Sequence, residues 1–469
     1  MAIFCLFWNG FSTSGPGNYI ISVERNLVMK KILLYVFPVG GAAVLYLWYF
    51  DNTTGGAFFA GKAGLVLAFG RLAGIMAALG VMGQLLLISR ARWLEPLFGL
   101  DRLTRFHHLA GLIIPLALLA HPPLVVWSHA LRTGNGFLAQ YLTVLGWEGA
   151  LPAACGGLLI ITAVILSLPF ARRRLSYEAW HSAHLGAYLG LAFSIGHQFG
   201  LGGDLSSEPP YFARIWYALY AFVLANLAWG RVLKPLWLYR ANKFVVEKIV
   251  PETTEAESIW ITGRGMASVP AEAGQFALLR FWAPGFRTQA HPFSVSRPPD
   301  GRYLRFTIKK SGDFTSAVHN SLKPGTPVII DGPHGVFTEK KCLGDKALLI
   351  AGGIGITPLR ALGESLLSSG KDCVLLYANR AQKDIVFRRE LAELEQEGGF
   401  RVHHVLSGEP DWQGEKGRID AGMIKRLVPD FAERDAFLCG PPPMVAAVSA
   451  ALTGLGVSRT RIHSELFSL

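Results

Sequence analysis

The sequence predicts a multidomain membrane protein, in which a six-helix all-α transmembrane bundle precedes an antiparallel β-barrel domain and an α/β doubly wound domain. Three observations support this prediction. The 469 residues are 51% hydrophobic and only 17% charged, which is more apolar than an ordinary soluble protein. Apolar runs long enough to cross a bilayer occur only before residue 240. Beyond residue 243 the pattern changes to short β-like segments and then to alternating strands and helices.

Six apolar runs approach the length of about 20 residues that an α-helix needs to cross a bilayer. They cover approximately residues 32–50, 63–88, 107–128, 151–170, 183–199 and 211–230. Residues 1–30 contain an apolar run that is too short to cross, so we expect an N-terminal tail there, and Met29 is a plausible alternative start of the chain. The predicted domains are therefore a tail (1–30), a transmembrane domain (31–235), a β-barrel domain (240–340) and a doubly wound domain (341–469).

Basic residues in the short loops predict how the spans are oriented, because cytoplasmic loops carry an excess of Lys and Arg. One side of the predicted bundle carries Arg25, Lys30, Lys31, Arg90, Arg92, Arg102, Arg105, Arg172, Arg173, Arg174, Arg231, Lys234, Arg240 and Lys243, whereas the other side carries only Lys62, Arg132 and Arg214. We therefore expect an integral protein of the plasma (inner) membrane, surrounded by lipid, with both termini in the cytoplasm.

Charge and cysteine content exclude two other classes of protein. The net charge of +12 mostly reflects the basic residues that flank the spans, so nucleic acid is not an expected partner. The cysteines show no CxxC pair and no spacing typical of metal ligands, so neither a disulfide framework nor a zinc site is expected. They are Cys5, Cys155, Cys342, Cys373 and Cys439.

Histidines occur near both ends of two predicted spans, where ionisable residues are functional candidates. The third span carries His107 and His121, 14 residues apart, which corresponds to about 21 Å of helix rise and places both rings within about 40° of one face. In the fifth span His184 and His197 are 13 residues apart, about 140° from alignment on a straight helix. A kink at Gly186, Gly190 or Gly196 would have to correct this angle.

Two helices that each present histidines at two depths are typical of a protein that binds two stacked haems, since a haem held between helices takes one axial imidazole from each. We expect His107 to pair with His184 on the cytoplasmic side and His121 with His197 on the opposite side. His108 and His181 remain alternative ligands. Arg71, within the second span, is expected either to pair with a haem propionate or to extend to the outer surface.

The second half of the chain contains a motif for binding a pyrophosphate. The stretch "AGGIGITP" places Gly352, Gly353 and Gly355 between a predicted strand and a helix, where glycines allow close approach and the helix N-terminus offers free N–H groups. "CGPPPM" brings Cys439, Gly440 and Pro441 to the end of a later strand. Both stretches lie at the carboxyl edge of the predicted sheet, where α/β folds bind their ligands.

Five motifs occur in an order that resembles the ferredoxin-NADP reductase superfamily. They are HPFS at 291–294, GDFT at 312–315, DGPHG at 331–335, GGIGITP at 352–358 and CGPPPM at 439–444. Together with the paired membrane histidines, residues 31–469 resemble the NADPH oxidase and ferric reductase family. The resemblance implies FAD, NADPH and two haems, expected to be b-type, as cofactors of an NAD(P)H-dependent oxidoreductase.

The resemblance also implies roles for individual residues. His291, Pro292, Phe293 and Ser294 would bind FAD, and the helix N-terminus around Gly312, Phe314 and Thr315 would bind its diphosphate. Thr357 and Pro358 would lie beside the nicotinamide, and Arg380 would bind the 2′-phosphate of NADPH. Catalytic roles are implied for Ser294 near flavin N5, for Cys439 near the hydride path, and for Phe467, the aromatic residue that would cover the flavin.

The expected function is transmembrane electron transfer from cytoplasmic NADPH through FAD and two haems to O2 on the opposite face, which produces superoxide. A ferric-chelate reductase with the same electron path is the alternative. A haem subunit of a quinone-linked chain is disfavoured, because such a protein needs no fused module like residues 243–469. No obligatory protein partner is expected.

Overall fold

The computed structural model describes residues 35, 38–50, 61–200, 205 and 211–465. The expectation for the tail at 1–30 and the role expected of Phe467 lie outside these residues. The chain forms two compact units, which are described separately. The helical unit contains the described residues up to 91 together with 102–228, and the sheet unit contains residues 92–101 and 229–465.

Helices α1 to α9 account for the regular structure described before residue 229. Their bounds are α1 (Pro38–Phe50), α2 (Gly61–Ile88), α3 (Glu95–Phe98), α4 (Leu100–Thr133), α5 (Phe137–Leu145), α6 (Ala150–Ser167), α7 (Pro169–Arg172), α8 (Tyr177–Gly200) and α9 (Tyr211–Ala228). A π-helical turn (Trp229–Leu233) continues into α10 (Lys234–Asn242). Large apolar side chains such as Phe69, Leu116 and Leu158 are exposed on these helices, as expected where lipid is the solvent.

The structure supports four of the six predicted spans by length and composition. Among the described residues the four candidates are Gly61–Ile88, Leu100–Thr133, Ala150–Ser167 and Tyr211–Asn242. Only residues 38–50 of the predicted first span are described, and they form a shorter apolar helix. Helix α8 has 24 residues, but His184, His197 and Gln198 lower its mean hydropathy. The six-helix count is therefore not confirmed.

The short β-like segments form two three-stranded antiparallel sheets that share one core. The strands are β1 (Val245–Thr253), β2 (Ala256–Thr262), β3 (Phe276–Phe281), β4 (His291–Ser294), β5 (Leu304–Lys309) and β6 (Val328–His334). One sheet has the order β1-β2-β5 and the other β4-β3-β6. Bridges between Val245 and Pro327 and between Val295 and Phe306 connect the two sheets. Helix α11 (Asp313–Ser321) packs Phe314 and Val318 into their common core.

The last part of the chain is a six-stranded parallel sheet with helices between its strands. Its strands are β7 (Lys346–Gly352), β8 (Asp372–Asn379), β9 (Phe400–Leu406), β10 (Glu415–Lys416), β11 (Asp435–Cys439) and β12 (Ile462–Glu465), in the order β10-β9-β8-β7-β11-β12. The helices are α12 (Ile356–Ser368), α13 (Arg388–Gln396), α14 (Ala421–Leu427) and α15 (Pro442–Gly454). The strand order reverses at β7, which is the switch point where doubly wound folds bind nucleotides.

Candidate functional site

The two predicted histidine pairs are formed in the helical unit. The imidazole centroids of His107 on α4 and His184 on α8 lie 6.1 Å apart, with 75° between the ring planes. The centroids of His121 and His197 lie 6.2 Å apart, with 36° between the planes. Both histidines of α8 lie in one continuous helix, Tyr177–Gly200, and the kink at one of its glycines stays a prediction.

The spacing within each pair fits a metal ion with one imidazole on either side. A bond from imidazole nitrogen to a transition metal is about 2.0–2.1 Å long, and the ring centre lies roughly 1.1 Å behind the nitrogen. Two axial imidazoles on one iron therefore have centroids about 6.3 Å apart. Both observed distances fall close to this value. The residues present therefore fit a haem with two histidine ligands at each of two depths.

The hydrogen bonds of His121 and His184 leave one nitrogen of each ring suited to binding iron. The Nδ1 atom of His121 lies 2.8 Å from the carbonyl oxygen of Gly70. Because a carbonyl only accepts, Nδ1 carries the hydrogen and Nε2 keeps its lone pair. The Ser167 hydroxyl donates to the carbonyl of Ala163 (2.7 Å), so it accepts from Nδ1 of His184, 3.1 Å away. The same tautomer follows for His184.

Glycines allow the close helix contacts that hold these rings in place. A Cβ atom on Gly74 would lie 2.7 Å from Nδ1 of His121. In the contact between α6 and α8, a Cβ on Gly156 would lie 2.5 Å from the carbonyl oxygen of Gly190, and one on Gly190 would lie 2.7 Å from that of Gly156. These positions therefore exclude any side chain, and the backbone that carries His184 and His197 packs directly on α6.

The residue that follows His197 is anchored by the last helix of the unit. Trp216 and Tyr220 on α9 both donate hydrogen bonds to Oε1 of Gln198, at 3.0 Å and 3.2 Å. Both aromatic residues are buried in the core of the helical unit. This contact fixes the end of α8 on which His197 lies.

The two alternative ligands have different surroundings. His108 is exposed, and His181 stacks on Tyr177 with the centroids 5.6 Å apart. Arg71 follows Gly70, the residue whose carbonyl oxygen contacts His121. Arg71 is thus at the depth of the pair formed by His121 and His197, and its pairing with a propionate stays a prediction.

The predicted FAD residues lie together on two neighbouring elements of the sheet unit. His291 to Ser294 form β4, and the imidazole of His291 stacks on the ring of Phe314 at the start of α11, with centroids 3.9 Å apart. Thr315 completes the N-terminal cap of α11, because its hydroxyl accepts hydrogen bonds from the N–H groups of Ser311 (2.9 Å) and Gly312 (3.0 Å). Thr315 therefore shapes the helix start that was expected to bind the diphosphate.

The glycine turn and the "CGPPPM" loop meet at the carboxyl edge of the parallel sheet, as predicted. Cys439 pairs with Ala351 across β11 and β7. A Cβ on Gly355 would lie 2.2 Å from the carbonyl oxygen of Cys439, and one on Gly352 would lie 2.5 Å from Sδ of Met444. These two glycines serve the contact between the loops, whereas Gly353 has a φ of +53°, and no atom of the described residues lies within 4 Å of where its Cβ would be. Gly353 is thus the position that a pyrophosphate can approach.

The remaining predicted residues of this edge differ in accessibility. The side chain of Cys439 is fully buried, and burial together with the charge of Glu465 raises the pKa of its thiol, which stays neutral.

The other predicted residues of this edge are packed against neighbouring backbone. Gly440 packs against Gly352, and Pro441 precedes α15. Thr357 and Pro358 are buried in the first turn of α12, where the Thr357 hydroxyl donates to the carbonyl oxygen of Ile354 (3.0 Å).

Arg380 is exposed directly after β8, beside an open cleft that the sequence did not indicate. Its lining residues are Ala381, Gln382, Lys383, Arg388 and Glu409. Oε1 of Glu409 accepts a hydrogen bond from the N–H of Gln382 (2.7 Å). Lys383 and Arg388 therefore add two cations to the one expected for the 2′-phosphate. The dense run of charged residues that follows Arg380 is the signal that could have found them.

Glu465, at the end of β12, is a further titratable residue that the sequence did not single out. A Cβ on Gly335 would lie 3.7 Å from its Oε1 atom, and the N–H of Gly335 donates to Oε1 of Glu95 (2.8 Å). Burial and the nearby charges of Asp101 and Glu95 raise the pKa of Glu465 to about 8. Its position two residues before Phe467 was the available signal.

Three family models match the chain in succession. Residues 73–195 match a ferric reductase like transmembrane component, residues 245–338 match an FAD-binding domain, and residues 349–450 match an oxidoreductase NAD-binding domain. The fold and the site thus define an oxidoreductase with a membrane helical domain and FAD- and NAD(P)H-binding domains. This succession of domains is the architecture of the NADPH oxidase and ferric reductase family.

Curated relatives match the second half of the chain. The glycine betaine monooxygenase reductase subunit of Pseudomonas aeruginosa (strain UCBPP-PA14) is 30% identical over 234 residues, which cover 47% of this chain and 62% of the relative. The ferredoxin reductase component of the 3-ketosteroid-9-alpha-monooxygenase of Mycolicibacterium smegmatis is 32% identical over 233 residues, 47% of this chain and 64% of the relative. The chain thus spans less than two thirds of the length of these relatives.

Solved structures also match this half. One is the flavohem-like FAD/NAD binding domain of nitric oxide dioxygenase from Vibrio cholerae O1 biovar El Tor. It is 26% identical, with a TM-score of 0.44, and the match covers 48% of this chain and 97% of that one.

Proposed function

We propose that this protein is a transmembrane NADPH oxidase, which moves electrons from cytoplasmic NADPH through FAD and two haems to O2 on the opposite face of the membrane and releases superoxide. The observation that carries the proposal is the pair of histidine contacts, at 6.1 Å and 6.2 Å between ring centroids, on two helices of a chain that continues into FAD- and NAD-binding domains.

The four histidines would act as axial ligands, His107 with His184 and His121 with His197. When bound, FAD turns the hydride of NADPH into single electrons, which the haems carry one at a time. Because two imidazoles would hold each iron, the four histidines would leave no coordination site for oxygen. The acceptor is then reduced at the outer face without binding to iron, and one-electron reduction of O2 gives superoxide.

The sheet unit would supply the flavin and nicotinamide sites. His291, Phe314 and Ser294 would hold the flavin, and the start of α11 at Gly312 would face its diphosphate. Gly353 with the first turn of α12 would hold the pyrophosphate of NADPH, and Arg380, Lys383 and Arg388 would bind its 2′-phosphate as cations. The buried neutral thiol of Cys439 would close the floor of the nicotinamide site without reacting itself.

The proposed topology has six spans and both termini in the cytoplasm of the plasma (inner) membrane. It rests on the excess of basic residues in the loops after the second, fourth and sixth predicted spans. With this orientation, the 107/184 pair is the one nearer the cytoplasm, and the 121/197 pair is the one nearer the acceptor.

The acceptor is tested by following reduction of cytochrome c by the purified full chain with NADPH. We expect superoxide dismutase to remove most of this reduction, since superoxide would be the species that reaches cytochrome c. If the rate is insensitive to dismutase while a ferric chelate is reduced rapidly, the protein is instead a ferric-chelate reductase with the same electron path. Absence of both a haem spectrum and a flavin spectrum would contradict either function.

A further inference from the structure

A partly buried carboxylate lies between two arginines from different parts of the sheet unit. Glu390, in the first turn of α13, accepts a hydrogen bond at Oε1 from Nη1 of Arg305 on β5 (2.6 Å). Its Oε2 atom lies 2.7 Å from Nε of Arg360 on α12. The two arginine side chains are 2% and 7% exposed. Arg305 belongs to the antiparallel sheets, whereas Arg360 and Glu390 belong to the parallel-sheet domain.

At its other end, Arg305 is fixed to the strand that carries the flavin motif. Its Nη2 atom donates to the carbonyl oxygen of Ser296 (2.6 Å), and its Nε atom donates to the Ser296 hydroxyl (3.1 Å). Ser296 lies two residues after Ser294, the last residue of β4. The guanidinium group is therefore a direct link between the segment expected to hold the flavin and Glu390.

Arg360 provides the corresponding link on the nicotinamide side. It lies two residues after Pro358 in the first half of α12, the helix that begins at the glycine turn. Arg360 also pairs with Glu364, one turn further along the same helix. The charges of Arg305 and Arg360 thus balance those of Glu390 and Glu364. These ion pairs extend from the segment after β4 to the first half of α12.

Backbone strain at Phe387 supports the same contact. Phe387 has a φ of +59°, which a residue with a side chain rarely adopts. This conformation precedes α13 and places the buried Phe387 ring 4.6 Å from the Arg305 guanidinium carbon. Strain of this kind persists only where the surrounding structure maintains it. The strained conformation of Phe387 sets the first turn of α13, which carries Glu390. It also places the Phe387 ring against which the Arg305 guanidinium lies.

Burial of ion pairs is weak support for stability, because the cost of removing charges from water offsets their attraction. We propose that Glu390, with Arg305 and Arg360, is a positioning residue that fixes the flavin-binding strand relative to the nicotinamide-binding helix for hydride transfer. In that transfer the C4–H bond of NADPH breaks and a bond from hydrogen to flavin N5 forms, so that NADPH loses two electrons and FAD gains them. The proposal rests on NADPH-to-FAD transfer in the proposed function and does not depend on the final acceptor.

The test compares Glu390→Gln with Glu393→Gln in the full chain. Glu393 is a matched control on the same helix, since it is exposed and pairs with the exposed Arg389. Under anaerobic conditions and at saturating NADPH, we expect Glu390→Gln to slow flavin reduction at least about tenfold with an unchanged FAD content, and Glu393→Gln to leave it within about twofold. Hydrogen exchange in the absence of NADPH provides a second readout, in which the amides of β5 and α12 should exchange faster only in Glu390→Gln.

A double-mutant cycle with Arg305→Gln tests whether the residues act as one unit. If Glu390 and Arg305 act as one unit, flavin reduction in the double variant should be no slower than in the slower of the two single variants. Normal flavin reduction and normal exchange in Glu390→Gln would overturn the positioning role and leave the proposed function intact. If the wild-type flavin is not reduced by NADPH, both proposals are wrong.

Discussion

Single residues in this protein combine a structural contact with a defined protonation state. His121 and His184 each donate their Nδ1 hydrogen to a neighbouring oxygen, so the tautomer suited to a metal follows from the fold itself. In the sheet unit, burial alone would raise the pKa of Glu390, but the hydrogen bond from Arg305 and the charge of Arg360 outweigh it and hold this pKa below its usual value. The charge of Glu390 is therefore present at neutral pH.

Glu465 shows the opposite behaviour and gives a prediction for pH. Its pKa of about 8 in the folded state lies above its ordinary value of 4.5. Between these pH values the folded state retains a proton that the unfolded state releases, so the free energy of unfolding falls as pH rises through this window. Glu465→Gln removes the titration. We expect the variant to match wild type near pH 5 and to exceed it by more than about 1 kcal/mol near pH 8.5.

Apparent melting temperatures of the full chain at the two pH values check this prediction. Glu397→Gln on an exposed turn is the control and should change neither value. An equal effect of Glu465→Gln at both pH values would show that the carboxyl group does not titrate between them.

At the scale of secondary-structure elements, the contact between α6 and α8 holds one side of both histidine pairs. We predict that Gly190→Ala weakens this contact, because the added Cβ would lie 2.7 Å from the carbonyl oxygen of Gly156 and backbone cannot yield as a side chain does. A forced separation of packed helices costs about 1–3 kcal/mol, and we expect haem content to fall by at least half.

Gly186→Ala is the matched control, since Gly186 lies on the same helix and an added Cβ would have no atom within 4 Å in the part of the chain that the structure describes. Alanine is the better helix former by about 1 kcal/mol, so this variant should retain its haem and melt at the same or a higher temperature. Haem content per protein, measured from the Soret band, compares the two. Normal haem content in Gly190→Ala would mean that the helices can separate without moving the rings.

The elements themselves were largely predictable because their signals are local. The short β-like segments predicted after residue 243 are observed as strands β1 to β6, and the turn at Gly353 joins β7 to α12 as predicted. The short strands β10 and β12 were missed, because two and four residues carry too little periodicity to be recognised. The bridge from Arg305 to Glu390 was also missed, since it joins residues 85 positions apart that no local pattern connects.

At the scale of the whole molecule, electrons that reach the acceptor would have to pass the flavin site and both histidine pairs in series. Interruption of the 121/197 pair should therefore stop acceptor reduction without affecting the earlier step. We predict that His121→Ala loses about half of the haem and more than about 90% of acceptor reduction, while anaerobic reduction of its flavin by NADPH proceeds at the wild-type rate.

His108→Ala is the control for this last prediction, because His108 is an exposed histidine next to a predicted ligand on the same helix. It should retain full haem content and full acceptor reduction. Measurement of the flavin and Soret bands in one stopped-flow experiment separates the two steps. If His121→Ala still reduces the acceptor at the wild-type rate, electrons leave before the 121/197 pair, and the path does not cross the membrane through both pairs. Loss of flavin reduction in the same variant would instead mean that the two units depend on each other for folding, because His121 belongs to the helical unit and the flavin residues belong to the sheet unit.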